Sequence, residues 1–157
     1  MTMEMTAEEL LERYAAGERD FTGVKLFGIR LMDKVLRGII LKEADLRDAY
    51  FDWSTLSYAD LSYADLRGSH LGEASLGRAN LSGVDLSHAV FGQTTLREAN
   101  LSHAKLERAI LTETSFDKAN LSYANFTGAI DFNIRRCKGA IFREIIMPNG
   151  TVRNEGI

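Results

Sequence analysis

A large apolar side chain occurs at every fifth position in the central part of this chain, from Phe21 to Phe126. All twenty-two of these positions hold Leu or Phe. An α-helix repeats a face about every 3.6 residues and a β-strand about every 2 residues, so neither element keeps a five-residue period on one side. The pattern therefore predicts a backbone that turns a corner once in every unit of five residues.

A second set of positions, two residues before each large apolar residue, holds small side chains. From Ala44 to Ala124 this set contains only Ala, Ser, Thr or Val. Alternating large and small side chains can fill a narrow tube at the density of a protein interior, whereas two large ones would overfill it. The sequence therefore predicts a tube that is filled by its own side chains.

A longer repeat of twenty residues shows how many units make one coil. The tetrapeptide Ala59-Asp60-Leu61-Ser62 returns as Ala-Asn-Leu-Ser at 79–82, 99–102 and 119–122. Twenty residues are four units, so each coil should have four corners and residues twenty apart should stack. The column of Asp60, Asn80, Asn100 and Asn120 could then form hydrogen bonds along the stack.

The repeated unit Ala-Asp/Asn-Leu-x-x, as in Ala59-Asp60-Leu61-Ser62-Tyr63, resembles that of the pentapeptide repeat family. The resemblance covers residues 21–126 and extends weakly to about 147. It implies an all-β fold, a right-handed quadrilateral β-helix (a pentapeptide-repeat solenoid) with short strands on four faces. Some members of this family imitate duplex DNA and bind type II topoisomerases. A DNA-mimicking regulator of gyrase is therefore the alternative function that the resemblance offers.

The segment before the repeats predicts a short N-terminal capping helix within residues 1–20. Thr6 and Glu9 have the spacing of a capping box, and Gly17 is a typical helix stop. Leu10, Leu11 and Tyr14 would lie on one face and cover the open first coil.

The first coil departs from the pattern in two ways. Lys34 occupies an inward position that should hold a small residue. Four apolar residues occupy positions that should face outward and need a cover, namely Phe27, Met32, Val35 and Ile40. The terminal helix is the expected cover, and a second chain is the alternative, which would give a homodimer through the coil ends.

The five-residue period slips once after Phe126. Phe132 follows one residue late, and Cys137, Phe142 and Met147 continue from it. We interpret this as one residue inserted near Ile130–Asp131 and about one further imperfect coil, so that the β-helix occupies 21–147. Asn149-Gly150 between apolar arms predicts a β-hairpin, and residues 148–157 would form a C-terminal hairpin-like cap and tail.

Composition narrows the function. Net charge is −3, and residues 21–126 hold 13 acidic and 12 basic residues, which argues against direct nucleic-acid binding and disfavours the DNA mimic. The single Cys137 leaves no intramolecular disulfide, and no stretch approaches the length of a membrane span. The first residues lack the features of a signal peptide, so a cytoplasmic location is expected.

Reactive side chains do not assemble in the repeat. His70, His88 and His103 fall on three different faces, whereas zinc needs three or four converging ligands. Asp45, Asp65 and Asp85 should stack in one column, where hydrogen bonds to the corner backbone explain them better than acid–base catalysis. We therefore expect no enzyme activity, metal, cofactor or small-molecule substrate.

Exposed aromatic and β-branched side chains mark the candidate partner surface. They are Tyr50, Trp53, Tyr58, Tyr63, Val90 and Ile110, with Ile130 below Ile110. Such side chains are enriched at interfaces, although corner packing and strand preference explain them more simply. The sequence predicts a non-catalytic structural or protein–protein interaction module whose partner it does not identify.

Overall fold

The computed structural model describes residues 4–156. It contains helix α1 at Ala7–Ala15, strand β1 at Val90–Gly92, strand β2 at Ile110–Thr112, a 3₁₀ helix at Ile134–Arg136, strand β3 at Ile145–Ile146 and strand β4 at Val152–Arg153. β1 and β2 are parallel, whereas β3 and β4 are antiparallel. The first three residues of the predicted 1–20 segment and Ile157 lie outside the described residues.

The chain forms a stack of coils with four units in each coil. Residues twenty apart form parallel bridges, as Asp60 does with Asn80 and Asn80 with Asn100. The predicted stacking of these columns is therefore confirmed. Since the backbone turns after every unit, most faces contribute single bridge residues, and within residues 4–156 only β1 and β2 extend into a parallel pair.

Positions in a unit are numbered here from −2 to +2 around the large apolar residue at position 0. Face 1 carries Leu41, Leu61, Leu81, Leu101 and Leu121 at position 0. Face 2 carries Leu46, Leu66, Leu86, Leu106 and Phe126. Face 3 carries Leu31, Phe51, Leu71, Phe91 and Leu111. Face 4 carries Leu36, Leu56, Leu76, Leu96 and Phe116.

The interior of the coil stack is filled by positions 0 and −2. All twenty-two residues at position 0 are at most 2% exposed, and so are the small residues at position −2 from Ala44 to Ala124. One large and one small side chain from each unit therefore exclude water from the tube. At about 25 cal/mol per Å² of apolar surface, this burial is the main stabilising contribution.

Every corner uses a left-handed residue at position +2. In the unit that begins the third coil, the Ala64 amide donates to the Leu61 carbonyl over 3.1 Å, and Tyr63 between them has φ 58°. This is the arrangement of a type II turn, which normally favours glycine at that position. Most +2 residues here are nevertheless not glycine, so the stacked coils hold side chains in a conformation that costs about 1–2 kcal/mol each.

Helix α1 lies over the first coil. The Thr6 side chain accepts a hydrogen bond from the Glu9 amide over 3.2 Å, and Gly17 follows the helix with φ 101°. Leu10 is completely buried, and the Tyr14 hydroxyl donates to the Arg37 carbonyl over 2.8 Å. The helix thus packs its apolar side onto the end of the coil stack.

Two expectations for the first coil are wrong. The side chain of Lys34 is exposed rather than inward, because an ammonium inside the tube would lose its hydration and no coil above confines it. Helix α1 also leaves Phe27 and Val35 uncovered, with exposures of 63% and 68%. It covers the end of the tube and not its outer sides, while Met32 and Ile40 are half-buried.

The C-terminal coil contains the predicted one-residue insertion. Asn100 pairs with Asn120, twenty residues on, whereas Asn120 pairs with Ile141, twenty-one residues on. Asp131 takes up the extra length with φ 61°, and Phe132 then packs against Phe126 with ring centroids 4.6 Å apart. The predicted hairpin is present and begins within this coil, since Ile146 of β3 bridges to Asn125 and β3 pairs with β4 around Asn149-Gly150.

Candidate interaction surface

The column at position −1 of face 3 carries the predicted apolar stripe. It runs through Tyr50, His70, Val90, Ile110 and Ile130, which bridge from coil to coil. The Tyr50 and His70 rings stack with centroids 4.6 Å apart. Val90 and Ile110 are half-buried, while Ile130 is 53% exposed. This column gives face 3 a continuous apolar strip along β1 and β2.

Trp53 lies at the corner that follows face 3 and is 55% exposed. Beside it, position +1 of face 3 holds two glycines in successive coils, Gly72 and Gly92. Above Gly92 the space that a side chain would take is open, whereas at Gly72 the Asp52 carboxylate lies 2.8 Å from where a Cβ atom would be. Here lies a groove of about 380 Å³, which is lined by Asp52, Trp53, Gly72, Glu73, Gly92, Gln93, Thr112 and Glu113. We call this the face 3 groove.

The backbone below the face 3 groove is held by a buried hydroxyl. The Thr94 side chain donates to the Leu71 carbonyl over 2.7 Å and accepts from the Gly92 amide over 3.3 Å. At the upper end, the Asp52 carboxylate accepts from the Gly72 amide over 3.2 Å. These bonds fix the floor of the groove from inside and from outside.

Tyr58 lies at the next corner, on face 4, and is engaged within the molecule. The Arg78 guanidinium donates to its hydroxyl over 2.6 Å and to Glu98 over 2.7 Å. The Arg37 guanidinium lies over its ring, 4.4 Å from the centroid. These contacts favour corner packing over partner binding for Tyr58.

Tyr63 lies on face 1, and its ring covers Gly83 of the next coil. A Cβ atom at Gly83 would come within 2.5 Å of this ring, although the side chain is still 64% exposed. The six residues of the predicted surface therefore do not form one patch. Tyr50, Val90, Ile110 and Trp53 lie on or beside face 3, whereas Tyr58 and Tyr63 belong to other corners.

The carboxylates of face 2 are part of a charged ladder. Arg47 donates to both oxygens of Asp45 over 2.8 and 2.7 Å, and Arg67 does the same for Asp65 over 2.8 and 2.6 Å. Arg47 Nε also lies 3.8 Å from Asp65 Oδ2 of the next coil. Alternating signs offset the repulsion expected of a stacked aspartate column.

The ladder lowers the pKa of its carboxyl groups. The hydrogen bonds from Arg47 hold the pKa of Asp45 below its usual value. Burial alone would raise the pKa of Asp65, but the hydrogen bonds from Arg67 and the charges of Arg67 and Arg47 together outweigh it and lower that pKa. Asp45 and Asp65 are therefore ionised side chains held by arginines. A general acid needs a raised pKa, and neither group has one.

Asp and Asn at position −1 of face 1 hold the backbone of the corners. Asp60 accepts from the Ser62 amide and hydroxyl over 3.0 and 2.6 Å, and Asn80 accepts from the Ser82 amide over 3.1 Å. These hydrogen bonds run to the residue two positions on, within the same coil. The side-chain oxygens of Asp60 and Asn80 therefore do not form the hydrogen bonds from coil to coil that the stacking suggested.

Other reactive groups are dispersed or buried. No three His, Cys, Asp or Glu side chains converge as a metal site within residues 4–156. His70 stacks on Tyr50, and His103 stacks on Tyr123 with centroids 4.8 Å apart. Burial, and to a smaller extent the charge of Asp117, raises the pKa of the Cys137 thiol to about 12. Over the same residues, no helix has the length and apolar character needed to cross a bilayer.

Two features of this surface were not predicted from the sequence, the face 3 groove and the Arg47–Arg67 ladder. Both were readable from the twenty-residue period, because Gly72 and Gly92, like Arg47 and Arg67, are twenty residues apart. The same residue type recurring twenty positions on is the signal in the sequence that identifies both features.

Comparison with known proteins gives the same picture. A family model described as pentapeptide repeats, in 8 copies, matches residues 36–72, 59–97, 74–112 and 96–130, together more than half of the chain. The protein slr1819 of Synechocystis sp. (strain PCC 6803), itself uncharacterized, is 56% identical over 41 residues. These residues make up 26% of this chain and only 12% of that relative.

Solved structures of similar architecture include Rfr23, a pentapeptide repeat protein from the cyanobacterium Cyanothece 51142. It matches with a TM-score of 0.53 and 23% identity over 83% of this chain and 95% of that chain, which shows a shared fold. QnrB1, a plasmid-mediated fluoroquinolone resistance protein, matches at 20% identity over 76% of this chain and 79% of its own, with a TM-score of 0.34. The five-residue period, the stacked coils and the match to the family model agree. The chain belongs to the pentapeptide repeat family.

Proposed function

We propose that this protein is a non-catalytic interaction module that presents face 3 to a protein partner. The observation that carries the proposal is the apolar column of Val90, Ile110 and Ile130 on the outside of a tube whose inside is full. A filled tube leaves little room for an enclosed ligand, so recognition takes place on the outer faces. Trp53 extends the same surface, and exposed tryptophan is typical of interfaces.

The two ends of the β-helix have separate roles in this proposal. Helix α1 at one end and the β3–β4 hairpin at the other act as caps, which stop further coils from adding to exposed backbone edges. The uncovered Phe27 and Val35 leave the first coil as the place where a second copy could pack. The cytoplasmic location expected from the sequence remains a prediction.

The face 3 column is tested by a double substitution that keeps its shape, Val90→Thr with Ile110→Thr. The variant lowers the apolar character of the column and keeps β-branched residues that suit a strand. We expect a partner captured by the immobilised wild-type protein from its native cells to be lost by this variant. The matched control is Ile141→Thr, which makes the same change at an exposed residue that bridges to Asn120 in the face 1 column.

The proposal fails if the double variant captures the same proteins as the wild type, or if the wild type enriches no protein over an immobilised unrelated solenoid. Circular dichroism and the unfolding midpoint of each variant show that the fold is retained.

The charges on face 2 argue against the alternative function, a gyrase regulator that imitates DNA. Duplex DNA presents unbroken rows of negative phosphates. On face 2, by contrast, Arg47 and Arg67 neutralise Asp45 and Asp65 through bidentate ion pairs. The mixed signs along this column do not reproduce the charge pattern of a nucleic acid.

A further inference from the structure

The face 3 groove has an open floor at Gly92. A Cβ atom added there would meet no atom within 4 Å, so the space above this residue is free. Gly92 also lacks the positive φ seen at the corner glycines, so a side chain would fit its backbone. Neither backbone strain nor crowding therefore requires a glycine at position 92.

The charges that line the groove have one sign. Asp52, Glu73 and Glu113 contribute carboxylates to the lining, and no Lys or Arg is among the lining residues. On face 2, by contrast, Asp45 and Asp65 pair with Arg47 and Arg67. The groove is thus complementary to a positively charged occupant.

The shape of the groove matches an extended chain. From Asp52 to Thr112 it spans four successive coils, a length of about 14 Å at the usual inter-strand spacing of about 4.8 Å. About four residues of extended polypeptide cover that length. Trp53 stands at one end with its ring half exposed, where a guanidinium can stack on it. The apolar column of Val90 and Ile110 lies alongside and supplies further contact area.

We propose that the face 3 groove binds a short extended segment of a partner protein that carries arginine. One guanidinium stacks on Trp53, another lies between the carboxylates of Glu73 and Glu113, and the peptide backbone passes over Gly92. This inference rests on the proposed function and names the chemistry of the partner segment.

The test uses the single tryptophan of the chain as its reporter. An acetylated tetra-arginine peptide is titrated into the full-length protein at low salt, and Trp53 fluorescence is recorded. We expect a saturable change with a dissociation constant below about 1 mM. A tetra-glutamate peptide should give none.

The decisive variant is Gly92→Val, which fills the groove and leaves every charge in place. We expect it to weaken binding at least about tenfold, whereas Gly77→Val, the same change at position +1 of face 4, should leave binding unchanged. Glu73→Gln with Glu113→Gln should weaken binding and reduce its dependence on salt. Circular dichroism confirms that each variant is folded.

Equal binding by the wild type and Gly92→Val would overturn the inference, since the peptide would then be held only by diffuse charge. The absence of a Trp53 response up to about 5 mM peptide would overturn it too, at a concentration where even weak complexes form. If either result occurs while the Val90→Thr and Ile110→Thr variant still loses its partner, the proposed function stands and only the groove assignment fails.

Discussion

Two threonines occupy the same inward column, yet their hydroxyl groups have different surroundings. Thr94 is 1% exposed and donates to the Leu71 carbonyl over 2.7 Å. Thr114, one coil further on and 2% exposed, has a buried Oγ1 without a hydrogen-bond partner among the described residues. A buried hydroxyl without a partner costs free energy that a satisfied one does not.

Replacing each threonine by valine separates these cases, since valine has nearly the same shape. We expect Thr94→Val to lower the free energy of unfolding by about 1 kcal/mol, and Thr114→Val to leave it unchanged or raise it by about 1 kcal/mol. Urea unfolding followed by circular dichroism measures both. A Thr114→Val variant as destabilised as Thr94→Val would contradict the assignment of an unpaired hydroxyl.

The ladder on face 2 joins coils through side chains as well as through backbone hydrogen bonds. Each arginine binds the aspartate two residues before it, and Arg47 also approaches Asp65 of the next coil. Since the folded pKa of Asp65 lies below its ordinary value, the ionised form favours the folded state. This contribution is fully present above the unfolded pKa of about 4 and is lost as pH falls through the folded pKa.

Replacing Asp65 by Asn should therefore change stability in a pH-dependent way. We expect Asp65→Asn to lower the free energy of unfolding by about 1 kcal/mol at pH 7, with the difference from wild type shrinking as pH falls below about 4. Unfolding by urea at pH 7, 5, 4 and 3 measures it.

The control for this change is Glu43→Gln, which removes a carboxylate from an exposed corner outside the ladder. A deficit in Asp65→Asn that stays constant from pH 7 to pH 3 would show that the ladder does not stabilise the ionised form.

Much of this architecture follows from the sequence. The repeat predicts that Leu61, Leu81 and Leu101 line one face, and the bridges beside them place them there, because a five-residue period allows few backbones. The sequence does not predict that the Lys34 side chain is exposed, because this depends on the absence of a coil above Lys34. Nor was the dispersal of Tyr58 and Tyr63, because an aromatic at position +2 looks alike in sequence whether it packs on Arg78, on Gly83 or on a partner.

The molecule as a whole is held together mainly by contacts between neighbouring coils. In such a solenoid, stability is a sum of nearest-neighbour terms, and the ends can open without the middle. Cys137, 1% exposed and in the last coil, reports on the C-terminal end, since its raised pKa and burial keep the folded thiol unreactive. Trp53 reports on the second coil.

Two core truncations should therefore affect the two reporters differently. Ile145→Ala, in the buried part of β3, removes packing worth about 2–5 kcal/mol near the C-terminal end. We expect it to speed thiol labelling of Cys137 at pH 8 at least about tenfold while the Trp53 unfolding midpoint changes little. Leu81→Ala, in the middle of the stack, should lower the Trp53 midpoint. If both variants shift both reporters equally, the coils unfold as one unit.

The extra residue at Asp131 shows that a corner of this solenoid accommodates added chain. The coil on either side keeps its pairing, as Ile110 still bridges to Ile130 and Asn120 to Ile141. Foreign loops spliced in at this point should therefore be displayed outward, with the neighbouring turns unaltered. That would make the protein a rigid carrier for grafted peptides.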